Sequence, residues 1–341
     1  MNLAELNKVA NAMTTPGKGI LAADESSGTI KKRFDAIGVE STEENRRDYR
    51  ELLFRSAKAM HDRISGVILF DETIRQKAAD GTPLVKVIEQ AGSIPGIKVD
   101  KGAKPLAFCP GETITEGLDG LRDRLIEYRG LGAKFCKWRA VIHIGPGIPS
   151  HDAINSNAHA LARYAALCQE QDLVPIVEPE VLMDGDHTIE RCEGVTEWTL
   201  KTVFQELYYA RVKPEGMVLK PNMIVPGMDS PKQVPDEEIA ERTIRVLKDC
   251  VPAAVPGIAF LSGGQSDVEA TARLDAMNRI GGLPWHLTFS YGRALQHAPQ
   301  VAWSGKAANV SAAQAAFSHR AEMNGLATLG KWTPEIEKKA A

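Results

Sequence analysis

The sequence predicts an α/β protein folded as a (β/α)8 TIM barrel, and three observations carry that prediction. Short apolar runs alternate with longer helical patterns from one end of the chain to the other. Eight of these runs read as buried strands, the number that closes a barrel. Most of them end in a charged or hydroxyl residue, although strands buried on both faces are expected to be apolar throughout.

The eight runs lie at residues 19–24, 67–70, 97–101, 134–139, 174–180, 217–220, 258–262 and 287–290. Between them the apolar spacing is helical: Leu118, Leu121, Leu125 and Tyr128 share one face, as do Leu200, Val203, Phe204, Leu207 and Tyr208. Ser41 with Glu44 and Ser266 with Glu269 have the spacing of a capping box, in which each side chain satisfies a free amide of the first turn. The first dozen residues predict an extra helix before the barrel, and residues 307–325 another after it. At 341 residues the chain is read as one barrel domain, 1–341, with a C-terminal helical extension over about 306–341.

Composition narrows the function. With 43% hydrophobic and 25% charged residues the chain can bury a large core. A net charge of −3 with no basic stripe argues against nucleic acid or an anionic membrane as the partner. Cys109, Cys136, Cys168, Cys192 and Cys250 are scattered and form no C-x-x-C pair, which fits reduced thiols in a cytoplasmic setting. Glu5 and Lys8 interrupt the apolar residues near the start, so no signal peptide is expected, and no apolar run approaches a membrane span.

The polar strand ends are Asp24, Asp71, Lys101, Lys137 with Arg139, Glu178 with Glu180, Lys220, Ser262 and Ser290. All of these would emerge at the carboxyl-terminal mouth, the face that holds the active site in barrel enzymes. Period-2 geometry puts Lys137 and Arg139 on one face of their strand, and Glu178 and Glu180 on one face of theirs. A structural ion-pair network would use the same residue types. A lysine amine attacks only when neutral, and burial with a nearby cation favours that form. Lys220 follows Met217, Val218 and Leu219 and would face Lys137 and Arg139, so it ranks first as nucleophile. Lys137 ranks second, and Lys101, flanked by Asp100 and Gly102, third.

Two turns add small residues and hydroxyls to this mouth: Ser262, Gly263 and Gly264 after the seventh run, and Ser290, Gly292 and Arg293 after the eighth. Glycines let backbone amides approach an anion, and barrels bind phosphate with these two loops. Thr29, Lys32 and Arg33, after the first run, form a second candidate anion site. Two separated anion sites would suit a sugar carrying phosphate at both ends. His151 and His159 lack a third metal partner, so neither metal nor cofactor is expected.

At this point the chain resembles a known family, the class I fructose-1,6-bisphosphate aldolases. The strings that carry the resemblance are GKGILAADES at 17–26, GIKVDKG at 96–102, KWR at 137–139, VEPEVL at 177–182, LKPNM at 219–223, FLSGGQS at 260–266 and SYGRAL at 290–295. They occur in family order over nearly the whole chain. The resemblance implies reversible cleavage of fructose 1,6-bisphosphate to dihydroxyacetone phosphate and glyceraldehyde 3-phosphate through a lysine Schiff base, in glycolysis and gluconeogenesis.

By that resemblance Lys220 forms the iminium, and Glu178 is the acid/base for carbinolamine dehydration, where a raised carboxyl pKa would help. Asp24 handles the hydroxyl proton during cleavage, Lys137 keeps the nucleophile's surroundings positive, and Glu180 orients it. Lys101 and Arg139 contact substrate. Ser262, Gly263, Ser290, Gly292 and Arg293 belong to one phosphate site, and Thr29, Lys32 and Arg33 to the other. A cytoplasmic homotetramer acting on sugar phosphates is implied too.

The resemblance has one departure: animal members end in a tyrosine-bearing tail associated with proton exchange on the enamine, whereas residues 332–341 read WTPEIEKKAA. The expectation is that Glu178, substrate water or another base takes that step. Other Schiff-base barrel lyases, of the transaldolase or deoxyribose-phosphate aldolase kind, fit the paired anion sites less well. A scaffold protein without activity would not need Lys220, Glu178 and Asp24 together.

Overall fold

A computed structural model describes residues 1–339; the last two positions of the 306–341 extension lie outside the described residues. Eight parallel strands close a barrel: β1 (Gly19–Ala23), β2 (Ile64–Leu69), β3 (Ile94–Lys98), β4 (Phe135–Ile142), β5 (Val174–Val181), β6 (Val218–Leu219), β7 (Gly257–Phe260) and β8 (His286–Tyr291). Each pairs with its neighbours in sequence, and β8 pairs back onto β1 with Ile20 opposite Ser290. All eight predicted runs are strands, with ends displaced by up to three residues. The largest consequence falls on β3, which begins and ends three residues earlier than residues 97–101.

Alternation along the strands separates two cores. Outward residues such as Leu21, Ile97, Trp138, Val177, Leu219 and Phe260 pack beneath the surrounding helices. Inward residues Ile20, Ala22, Ile68, Phe135, Val174, Ile176, Val218 and Ala259 fill the lower barrel. Gly96 opposes Phe135, and a Cβ there would lie 2.3 Å from the ring, so that position admits no side chain. The predicted N-terminal helix, Leu3–Met13, places Leu6, Ala10 and Met13 against this apolar floor. The floor is sealed from below, and the same inward faces become charged only near the top.

The helix Asp267–Ile280 opens on the predicted capping box of Ser266 and Glu269. The other expected box is corrected. Thr42, not Ser41, caps the helix Glu43–Phe54, accepting the Asn45 amide at 3.0 Å, while the Ser41 carbonyl is taken by Arg46. In the helix Ile189–Tyr209, Leu200, Val203 and Leu207 are buried, but Tyr208 is 77% exposed, one step past the buried stripe. An unpredicted two-stranded hairpin, Ala103–Pro105 with Thr113–Thr115, rises from the end of β3. The helices Val310–Ala327 and Pro334–Lys339 form the extension, packed on the barrel's outer helices.

Candidate active site

Lys220 owes its position to three local devices. Its amide donates to the Val177 carbonyl at 2.8 Å, the last such bond along this edge of β5. Pro221 has no amide to continue the ladder. Asn222 then substitutes a side chain for the missing backbone partner, accepting the Val181 amide at 3.1 Å and donating to Thr196 Oγ1 at 3.1 Å. Lys220 is thereby fixed at the rim of the apolar floor, 4% exposed.

The inward faces of β4 and β5 supply its neighbours, as alternation predicts. Glu178 bridges two lysines: Oε1 lies 3.1 Å from Lys220 Nζ and Oε2 3.2 Å from Lys137 Nζ. Lys137 also pairs with Asp24 at 2.7 Å. One layer higher, Glu180 holds Arg139. This corrects the expected contact between Glu180 and Lys220, because Arg139 is opposite Glu178 in register and Glu180 is one step beyond.

A cavity of about 480 Å³ opens above these groups and is lined by Asp24, Lys137, Arg139, Glu178, Glu180 and Lys220, with Ser262, Gly263, Ser290, Gly292 and Arg293 on one side and Thr29 and Arg33 further round the mouth. Ser290 Oγ is buried and makes no hydrogen bond among the described residues. Arg293 donates to the Gln265 carbonyl, which ties the loops after β7 and β8 together. Arg33 reaches toward the other expected anion group, its Nη2 lying 3.6 Å from where a Cβ on Gly292 would be.

Three residues named from the sequence fall elsewhere. Lys101 is exposed and lines a separate groove with Glu116 and His159, because it shares parity with the outward Ile97 and Val99. Lys32 is exposed on the helix Ser27–Asp35 and lies outside the cavity lining. Asp71 begins a short helix and accepts from Tyr128 Oη at 2.8 Å.

Lys98 and Asp100 take the place expected of Lys101, on the inward parity of β3. They pair with each other at 2.9 Å, and Asp100 also accepts the Arg139 amide at 3.2 Å. Counting by two from Gly96 would have found both. Glu25 and Ser26 also line the cavity. His151 bonds Asn155 and His159 pairs with Glu206, both on outer helices.

The charges order themselves physically. Burial lowers the Lys137 ammonium's pKa, but Asp24, Glu178 and Asp100 more than reverse this and push it well above the ordinary lysine value. Burial raises the Glu178 carboxyl, yet Lys137, Lys220 and Arg139 outweigh burial and hold it below its ordinary range. This reverses the expected upward shift for the ligand-free protein. Burial likewise raises Asp24, but Lys137 and then Lys220 lower it from 3.8 to about 2.

A folded value below the unfolded one means that Asp24 contributes stability above about pH 4, lost as pH falls through about 2. Asp24→Asn is therefore expected to flatten the dependence of the thermal midpoint on pH between about 4 and 2, with the slope from about pH 5 to 8 unchanged. Calorimetry across that range checks it; an unaltered acid slope would remove the Asp24 pair from the folded state.

A barrel whose mouth holds a buried lysine sharing a carboxylate with a second lysine held in its charged form fits a class of enzyme that attacks a carbonyl through an amine. The comparisons with known proteins agree. The family model described as "Glycolytic: Fructose-bisphosphate aldolase class-I" matches residues 5–341. The chain belongs to the class I fructose-bisphosphate aldolase family and is a lyase.

Among its relatives, a probable fructose-bisphosphate aldolase class 1 of Xanthomonas campestris is 59% identical over 97% of this chain and 99% of that protein. A cytosolic fructose-bisphosphate aldolase 5 of Arabidopsis thaliana is 57% identical over 96% and 92%. A solved structure of Plasmodium falciparum fructose-bisphosphate aldolase, in complex with TRAP and a small molecule inhibitor, superposes with a TM-score of 0.95 at 47% identity over 97% of this chain and 96% of that one.

Proposed function

We propose that Lys220 is the amine through which this chain reversibly cleaves fructose 1,6-bisphosphate to dihydroxyacetone phosphate and glyceraldehyde 3-phosphate. The observation that carries the assignment is the shared carboxylate, Glu178, within 3.1 Å of Lys220 and 3.2 Å of Lys137. Lys220 gives one proton to Glu178 and its neutral nitrogen attacks the C2 carbonyl, whose oxygen takes a second proton from that nitrogen to form the carbinolamine. The carbinolamine nitrogen is neutral, so Glu178 then faces one cation fewer and becomes a better acid/base partner. It returns the proton to the departing hydroxyl, leaving the iminium.

The iminium is the electron sink for the next step. Asp24 takes the C4 hydroxyl proton, the C3–C4 bond breaks, and its electron pair moves to the iminium to give the enamine. Lys137, held by Asp24 and Glu178, keeps both acids ionised between steps. Ser262 and Gly263, at the end of β7 next to β6, and Ser290, Gly292 and Arg293, at the end of β8, take the C1 phosphate. Thr29 and Arg33, with Lys98, take the C6 phosphate, and Arg139, steadied by Glu180, contacts the sugar. The buried, unpartnered Ser290 hydroxyl supports an anion there.

Borohydride reduction of the protein with dihydroxyacetone phosphate in the presence of a chelator, followed by peptide mapping, tests this reading. The expected result is a stable adduct on Lys220 in undiminished yield. An adduct confined to Lys137 or Lys98, or one that requires metal, would overturn it. The reading extends to one barrel domain over 1–341 in a cytoplasmic homotetramer; the five free cysteines support the cytoplasmic setting. A solution mass of one 37.1 kDa chain would rule out the tetramer.

A further inference from the structure

Beside the cavity lies a cluster of buried charge that the chemistry above leaves unused. Glu25, just past β1, has one carboxylate and two arginines. Its Oε1 accepts from Arg33 Nη1 and, at 2.7 Å, from Gln296 Nε2. Its Oε2 makes no hydrogen bond among the described residues, and Arg50 Nη2 lies 3.8 Å away.

Arg50 is 1% exposed in its side chain and donates Nη2 to the Glu25 carbonyl at 2.9 Å. Its Nε and Nη1 have no hydrogen-bond partner among the described residues. Glu72, 3.6 Å from Nη1, is already engaged by Arg46 through two bonds of 2.8 and 2.5 Å. Burial lowers the Arg50 guanidinium from its ordinary value, and Glu25 and Glu72 only partly oppose this.

An anion arriving at Arg33 thus meets a guanidinium that is already neutralised. Carboxylate and phosphate compete for the same donor fork. A carboxylate driven off Arg33 would be a buried unpaired charge unless another cation received it. Arg50 Nη2 is placed to do so: it lies 3.8 Å from the unbonded Oε2, and it carries a second N–H beside the one given to the Glu25 carbonyl. We propose that Glu25 is a displaceable counter-ion guarding the Arg33 end of the cavity, and that it turns onto Arg50 when a substrate phosphate takes its place. Ligands without a phosphate at that end leave the Arg33–Glu25 pair closed. Glu25 and Arg50 are then positioning residues that make occupancy of that end depend on a dianion. The inference rests on the reading of Arg33 as a phosphate ligand.

Steady-state kinetics of the intact protein with fructose 1,6-bisphosphate and fructose 1-phosphate test it. Arg50→Met removes the alternate partner and is expected to raise KM for the bisphosphate about tenfold, with kcat and the monophosphate KM within about twofold. Arg50→Lys restores most of the loss. Equal changes for both substrates, or an unchanged bisphosphate KM, would overturn the proposal.

Should Arg50→Met fold poorly, Glu25→Gln decides by a second route. With its competitor gone, Arg33 should bind inorganic phosphate more tightly as a competitive inhibitor, by about fivefold. Weaker phosphate inhibition would mean that Glu25 steadies Arg33 rather than competing for it. Arg33→Ala separates the two readings. If it leaves the bisphosphate KM unchanged, the phosphate assignment fails. If it raises that KM while Arg50→Met does not, only the counter-ion role fails.

Discussion

Lys220→Ala is expected to lower kcat for cleavage of the bisphosphate by on the order of 10⁵-fold, because covalent catalysis is lost and no other amine can replace it. Lys137 is the nearest substitute, and its two carboxylates at 2.7 and 3.2 Å hold its proton. Lys98 is engaged by Asp100 at 2.9 Å. The variant should remain folded, since Glu178 keeps Lys137 as a partner. Turnover by stopped assay together with borohydride trapping checks this. A loss of only about tenfold would place the nucleophile elsewhere.

Glu178→Gln should lower kcat by about 10²–10⁴-fold, the range expected for a lost general acid/base. In the ligand-free protein burial raises the Glu178 carboxyl, but Lys137, Lys220 and Arg139 outweigh it and hold the group low. Such a group is a poor acid at rest. It becomes useful only when the Lys220 nitrogen is neutral, at the carbinolamine. The amide cannot receive that proton, so the block should fall before the iminium. The yield of borohydride-trapped adduct should drop in parallel with turnover. Full trapping with slow turnover would move Glu178 to a later step.

Much of this site was legible because two periodicities are rigid. Alternation along 137–139 and 178–180 puts four charges on inward faces, and the register of Arg139 with Glu178 agrees. Lys101 is read from its place at a strand end, without alternation. The run 97–101 extends three residues past β3, and Lys101 at its end has the outward parity of Ile97 and Val99, whereas Lys98 falls inward. Lys32 is a neighbour of Arg33 in sequence, but one helical step of about 100° turns it out of the cavity.

The place of Lys220 at a strand end was determined by the sequence alone, since the apolar Met217, Val218 and Leu219 precede it and Pro221 has no amide to extend the ladder. The same holds for the eight strands and for the small-residue turns after the last two, which depend on local backbone chemistry. What only the tertiary structure decided is how the charges are shared. Glu178 serves two lysines, Glu180 serves Arg139, and Glu25 stands between Arg33 and Arg50. Pairing between strands depends on register and on distances of a few ångströms, where Coulomb and desolvation terms nearly balance. No local pattern records that balance, and it sets the low Glu178 pKa and the high Lys137 pKa together.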